Sequence, residues 1–340
     1  MSQKSNKVLI SDPTLRDGNH AVSHQLSVEQ IAAYCTAADA AGVPIVEVGH
    51  GNGLGASSLQ VGESPIDDRT MLTAARANLK SSKLGIHVIP GFATIERDLK
   101  PALDWGVDVI RVASHCTEAD ICERHIRFCR SRGKTVFGVL MMSHMVDEEV
   151  LFAEAAKMQD YGAEAVVLMD SAGNSLPTDV TRKVGHLTAN LSISVGYHAH
   201  NNLGMGVANS IAAFEAGAAI LDGCARGFGA GAGNAQLEVL VAVLQRMGIE
   251  TGIDLYKMLD AADLAEAKLM KEVPVTRSTS VVSGLAGVFS GFLKPVNRVA
   301  KEMSIDPRDI FFELGKRRVV AGQEDIIIEV ANQLLSAKGK

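Results

Sequence analysis

One carboxylate and two imidazoles in this chain have the types and placement for chemistry. Asp17 lies in the run Ser11-Asp-Pro-Thr-Leu-Arg-Asp-Gly-Asn-His20, and the pair His198-Ala199-His200 lies far downstream. Such a donor set suits a divalent ion that keeps open positions for a substrate. Residues two apart on a strand point to one side, so His198 and His200 can share an ion. The set accepts Mn²⁺, Mg²⁺, Zn²⁺ or Fe²⁺, and no cysteine joins it to force zinc. A 2-oxo acid completing the sphere favours Mn²⁺ or Mg²⁺. The ion would act as a Lewis acid on a ketone oxygen and stabilise the enolate formed when a carbon–carbon bond breaks.

Arg16 adds a rigid fork of donors for a developing oxyanion or a substrate carbonyl, and an ion pair to Glu47 is compatible with that task. His20, three residues past Asp17, titrates near neutrality and suits the removal of a hydroxyl proton. His50, His115 and His144 follow strand-like runs and are read as supporting or structural residues. His87 sits within such a run, and His24, His125 and His186 have no chemical neighbours in sequence.

These side chains need a frame that gathers distant segments. Eight short apolar runs recur with helical stretches between them: Lys7 to Thr14, Pro44 to His50, Lys83 to Pro90, Val107 to Ala113, Thr135 to Met141, Ala163 to Asp170, Ser192 to His200 and Ala218 to Ala225. They are rich in Val and Ile and apolar on both sides, as parallel strands covered on both faces are. Intervening segments such as Val28 to Ala41 and Asp147 to Tyr161 have helical spacing, and Ser27 with Gln30 reads as a capping box. Eight such units over about 245 residues fit a (β/α)8 TIM barrel. In that fold Arg16, Asp17, His20, Glu47, Asp170, Ser171, His198 and His200 all fall at the C-terminal ends of strands, on one mouth.

After about Thr251 the strand rhythm stops. Leu255 to Met270, Gly284 to Met303 and Gln323 to Leu335 read as helices, with Pro274, Pro295 and Pro307 as punctuation. The expected organisation is a catalytic barrel over residues 1–260 and a helical region over 261–340 that packs on it. Two glycine runs flank the mouth. Gly49-His-Gly-Asn-Gly-Leu-Gly55 reads as a mobile loop, and Gly227-Phe-Gly-Ala-Gly-Ala-Gly-Asn234 as tight backbone packing near the ion with Asn234 pointing in.

Composition narrows the partners. A net charge of -6 and 4% aromatic residues leave no basic stripe and no base-stacking platform, which excludes nucleic acid. The N-terminus, Met1 to Lys7, has no apolar signal region and no stretch is long enough for a membrane span, so cytoplasmic residence is the expectation. Five cysteines, without a Cys-x-x-Cys pair, are read as buried free thiols.

The runs Thr14-Leu-Arg-Asp-Gly18, His198-Ala-His-Asn-Asn-Leu-Gly204 and Gly229-Ala-Gly-Ala-Gly-Asn234 resemble the DRE-TIM metallolyases, which include isopropylmalate and homocitrate synthases and hydroxymethylglutaryl-CoA lyase. Ile10 to Ala21, His115-Cys-Thr-Glu-Ala-Asp120, Leu140-Met-Met-Ser-His-Met145 and Gly322-Gln-Glu-Asp325 resemble most the 4-hydroxy-2-oxoacid aldolase branch. The resemblance implies Mn²⁺-dependent cleavage of a 4-hydroxy-2-oxoacid to pyruvate and an aldehyde, within aromatic hydrocarbon breakdown. It implies Asp17, His198 and His200 as metal ligands, Arg16 as enolate stabiliser, His20 as base, Ser171 as a substrate contact and Glu47 as the acid paired with Arg16. Asn234 matches a metal ligand of other branches and is not carried over as one.

The resemblance also implies an acylating aldehyde dehydrogenase as partner, with the helical region serving that contact or a homo-oligomer. Two positions depart from the branch. Phe289, beside the substrate, replaces a tyrosine and lacks its hydroxyl, and Arg226 stands where an apolar residue is usual, either to read an extra carboxylate or as a rim ion pair. The rival readings are a Claisen-type synthase or acyl-CoA lyase, which would need an acyl-CoA site, and a non-catalytic partner protein, which would not need all of Arg16, Asp17, His20, His198 and His200.

Overall fold

The computed structural model describes residues 6–320 and 322–338, so most of the N-terminal segment read for a signal lies outside the described residues. Eight parallel strands close into a barrel in the order of the chain: β1 (Leu9–Leu15), β2 (Ile45–Val48), β3 (Lys83–Val88), β4 (Val109–His115), β5 (Thr135–Met141), β6 (Ala165–Asp170), β7 (Ser194–Ala199) and β8 (Ile220–Asp222). Helices join the strands and cover the outside, which is why the strands read as apolar on both sides. The capping box at Ser27 and Gln30 opens helix Val28–Ala40.

Inside the barrel, alternation sorts the layers. Ile45, Val109, Val139, Val167 and Ile220 belong to an apolar interior cluster. Two residues further along β2, β4 and β8, the same inward column carries Glu47, Arg111 and Asp222, all buried. The floor is therefore hydrocarbon and the layer above it is charged, directly under the mouth.

β7 stops at Ala199, one residue short of His200, which still bridges antiparallel to Asn234. His50 likewise lies just past β2. The five cysteines are buried and free. No helix among the described residues is long and apolar enough to cross a membrane.

The tail differs in detail from its expected helices. Gly284 to Met303 is not one helix: Ser278–Ala286 ends at Gly287, whose φ of 66° is the left-handed stop that glycine takes without strain, and a new helix runs Leu293–Met303. Pro295 falls in the first turn of that helix, where its missing N–H costs nothing. Helix Pro307–Lys316 escaped the sequence reading, although Asp306 caps it and Pro307 opens it. The last helix is Ile326–Lys338.

Residue 260 falls inside helix Leu255–Lys268, whose Met258, Ala261 and Ala265 share the barrel's core, whereas Phe292, Val296, Ile310, Phe311 and Val330 form a separate core. The tail lies over the mouth and is pinned to its loops. The Ser290 amide donates to the Ser171 carbonyl at 2.9 Å, His144 Nε2 donates to the Gly287 carbonyl at 2.9 Å, and Asn174 Nδ2 donates to the Gly284 carbonyl at 2.7 Å.

Candidate functional site

The barrel brings Asp17, His198 and His200 together although almost two hundred residues separate them. Their ligating atoms all lie within 4.8 Å of one another, and all three residues are buried. His198 Nδ1 donates to Asp222 Oδ2 at 2.9 Å, which leaves Nε2 as the lone-pair nitrogen. His198 Nε2 and His200 Nδ1 are buried and lack hydrogen-bond partners. Buried polar atoms are rarely left so, and two histidines with unpartnered ring nitrogens that converge with a carboxylate fit a cation. The donor set therefore fits the divalent ion expected from sequence.

Asp17 is held as an anion. Burial alone would raise its carboxyl, but Arg16, then His200 and His20, outweigh burial and hold it far below the usual carboxylate range. Arg16 Nη1 donates to Asp17 Oδ1 at 2.8 Å, and Asn234 Nδ2 donates to Asp17 Oδ2 at 2.6 Å. Asn234 points in, as expected, and serves as a donor to Asp17. Gly229 is required here, because a Cβ on it would come within 2.1 Å of Asn234 Nδ2 and 2.5 Å of Asp17 Oδ2.

Arg16 also donates from Nε to Glu47 Oε1 at 2.5 Å. From Glu47 a chain of charge runs under the mouth: Arg111 Nη1 lies 3.2 Å from Glu47 Oε2, and Arg111 Nη2 donates to Asp222 Oδ2 at 2.6 Å. Asp17, Arg16, Glu47, Arg111, Asp222 and His198 thus form one buried arc linking two of the three converging side chains. Buried charges persist only when paired, and alternation of sign along the arc meets that condition. Arg16 Nη2 is buried without a partner and remains an unused donor beside the three converging side chains.

Arg111 and Asp222 were missed in the sequence. The signal was a charged residue inside each apolar strand run, which must be paired if the strand is buried.

His20 follows in the four-residue helix Gly18–Ala21 and lines the cavity above the three side chains. Burial lowers its imidazole to about 4, against the pull of Asp17, so the ring is neutral near pH 7 and able to accept a proton. Its ring lies on Gly51, where a Cβ would come within 2.7 Å of it. The Gly49–Gly55 run, read as a mobile loop, is tied down: Asn19 Nδ2 donates to the Gly49 carbonyl at 2.8 Å and the Gly55 amide to Asp68 Oδ2 at 2.8 Å. Its glycines serve close approach.

His50 and His24 stack at 3.6 Å between centroids. The Asn52 and Gly51 amides donate to His50 Nδ1 and His24 Nδ1, and His50 Nε2 donates to the Gly62 carbonyl, which leaves both rings neutral and structural.

A cavity of about 1090 Å³ lies between the barrel mouth and the tail, lined near the barrel by His20, Ser171 and Met142 and beneath the tail by Phe289, Leu293 and Lys294. Ser171 Oγ accepts from the Met142 amide at 3.0 Å, which leaves its own hydroxyl proton to donate. Phe289 meets Phe292 edge to face, with centroids 6.1 Å apart. His115 lines the cavity too. Arg226 is spent in ion pairs: Nε with Glu266 at 2.9 Å, and also Asp263 and Glu238, so it forms the rim ion pair rather than a carboxylate reader.

Residues 7–265 match the HMGL-like family model and residues 274–336 the DmpG-like communication domain. The chain is 68% identical over 329 residues to a 4-hydroxy-2-oxovalerate aldolase of Spirochaeta aurantia, spanning 97% of this chain and 96% of that one. The chain belongs to the 4-hydroxy-2-oxovalerate aldolase family. Membership places it among carbon–carbon lyases. It is also 61% identical over 328 residues to a 4-hydroxy-2-oxovalerate aldolase of Pectobacterium atrosepticum, with 96% of each chain covered. The carboxyl transferase domain from Rhizobium etli pyruvate carboxylase, with pyruvate and biocytin, shares the fold at a TM-score of 0.81 and 15% identity, over 99% of this chain and 62% of that one.

Acid should loosen this family member. His20 and His200 are both lowered from 6.5 to about 4, chiefly by burial, and His24 is lowered to about 2. Between pH 6.5 and 4 the unfolded chain takes up protons that the folded chain refuses, so stability falls as pH falls through that window. Asp12, which burial raises to about 6, and Asp68, also raised by burial, work in the opposite sense, but burial lowers His50, His87, His115 and His144 as well, so the histidines prevail. The melting temperature is expected to drop steadily from pH 7 to pH 4.5. A flat profile would mean that these rings are not held neutral by the fold.

Proposed function

We propose that the protein is a divalent-metal-dependent aldolase. It cleaves 4-hydroxy-2-oxovalerate, or a longer 4-hydroxy-2-oxoacid, to pyruvate and an aldehyde. The observation that carries this reading is the buried convergence of Asp17, His198 and His200, each histidine with an unpartnered ring nitrogen, beside the unspent Nη2 of Arg16.

Asp17, His198 and His200 would hold the ion, Mn²⁺ by preference, and Asp222 fixes the His198 tautomer that presents Nε2. When bound, the ion supplies a Lewis acid to the 2-oxo group. His20, neutral near pH 7, takes the proton of the C4 hydroxyl. The O–H electrons form the aldehyde C=O, the C3–C4 bond breaks, and its electron pair becomes the pyruvate enolate, which a proton at C3 converts to pyruvate.

Arg16 donates from Nη2 to the oxygen on which negative charge grows, with its other two nitrogens locked on Asp17 and Glu47. Ser171 donates to the substrate from the cavity wall. Phe289, with Ile89, Met141 and Leu293, gives the aldehyde end an apolar wall without a hydroxyl.

The communication-domain match of the tail supports an acylating aldehyde dehydrogenase as the partner that takes the aldehyde, with co-elution of the two proteins as the check. Chelation is expected to abolish pyruvate release from a chain-length panel of 4-hydroxy-2-oxoacids, and Mn²⁺ to restore it. Equal activity of stripped and loaded protein, or no cleavage of any member of the panel, would sink the proposal.

A further inference from the structure

Lys294 belongs to the tail, yet its ammonium group reaches the loop that follows β1. It donates to the carbonyls of His20 and Ala21 at 2.8 and 2.9 Å and to Ser23 Oγ at 3.0 Å. Those carbonyls end the single turn Gly18–Ala21, where the Ser23 amide also donates to the His20 carbonyl at 3.2 Å, so the ammonium group joins the last carbonyls of the turn to the loop that follows.

The loop that Lys294 grips is under strain. Ser23 and His24 have φ of 56° and 62°, the left-handed region that side chains other than glycine disfavour. Two consecutive residues of this kind persist only where the surroundings over-determine them. The surroundings here are the Lys294 contact to Ser23, the His24 amide donating to the Asn19 carbonyl at 2.7 Å, and the His24 ring stacked on His50. His20 sits at the head of this turn. Its ring meets the His24 ring edge-on at 5.1 Å and lies on the Gly51 backbone. The direction of the His20 ring into the cavity therefore follows from the backbone of the turn.

We propose that Lys294 is a positioning residue for His20: by clamping the carbonyls and hydroxyl of the strained turn, the tail aims the imidazole at the substrate hydroxyl. The inference rests on His20 being the base. The barrel alone supplies Asp17, His198, His200 and Arg16, but the base is brought to its working position only when the tail is docked.

A double-mutant cycle on the full-length, Mn²⁺-loaded protein separates this from a general structural role. Lys294→Met is expected to lower kcat by about 10- to 100-fold, within the range a misplaced general base loses, while KM and the affinity for Mn²⁺ change little. Lys294→Arg should restore most of kcat. In the His20→Ala background Lys294→Met should cost nothing more, because the residue it positions is gone.

An equal fall in both backgrounds, or wild-type kcat in Lys294→Met, overturns the inference and leaves the aldolase reading standing. Wild-type cleavage by His20→Ala overturns the base assignment and the inference with it. Should Lys294→Met melt early, Lys294→Ala, assayed well below its melting temperature, serves in its place with the same outcomes.

Discussion

Replacing Arg16 by lysine is expected to remove nearly all aldolase activity, about a 10²- to 10³-fold fall in kcat, the scale set by loss of one preorganised oxyanion donor. The charge would survive but the fork would not. Arg16 uses Nε on Glu47 and Nη1 on Asp17, and has Nη2 to spare. An ammonium group has one nitrogen and cannot hold three planar directions at once.

Arg16→Met should go further and destabilise the fold by about 3–5 kcal/mol, because removing one member of a buried ion pair strands its partners. Glu47, which Arg16 and Arg111 hold down at about 2 against the effect of burial, would lose one of those cations. Urea unfolding measures the stability term and coupled pyruvate detection the catalytic one. Wild-type kcat in Arg16→Lys would remove Arg16 from the chemistry and leave it only a structural ion pair. Adding Glu47→Gln to Arg16→Met should recover part of the stability and none of the activity.

Asp17→Asn is expected to abolish metal binding and with it turnover, by about 10³-fold or more. The argument is one of charge: the site offers two imidazoles and a single carboxylate, so the amide removes the only anion among the three. Linkage supplies a readout that does not depend on activity. An ion at a hundred times its Kd stabilises the folded state by about 2.7 kcal/mol. Wild-type protein should therefore melt higher with Mn²⁺ than with chelator, whereas Asp17→Asn should melt at one temperature in both. His200→Ala should behave alike. Retained Mn²⁺ stoichiometry in Asp17→Asn would refute the proposed ligand set.

Much of this molecule was legible along the chain, for reasons of period and chemistry. The alternation of eight apolar runs with helical segments announces a closed parallel barrel, because parallel strands need crossovers and both of their faces must be covered. The barrel in turn puts strand ends on one mouth, so Asp17 and the His198–His200 pair could be joined before any distance was known. The tail was less legible. A glycine inside an apolar run is compatible with a helix or a stop, and only the φ of Gly287 decides between them.

Sequence by itself determined the barrel, the three side chains that the fold brings together as a candidate ion site and the presence of a cation and an imidazole beside them. Tertiary structure alone decided their couplings. Arg111 links Glu47 to Asp222, and Lys294 reaches the His20 carbonyl from 274 residues away. The physical reason is that burial makes each charge or polar group demand a partner, and the partner is whichever group the packing brings within hydrogen-bond reach, at any separation along the chain.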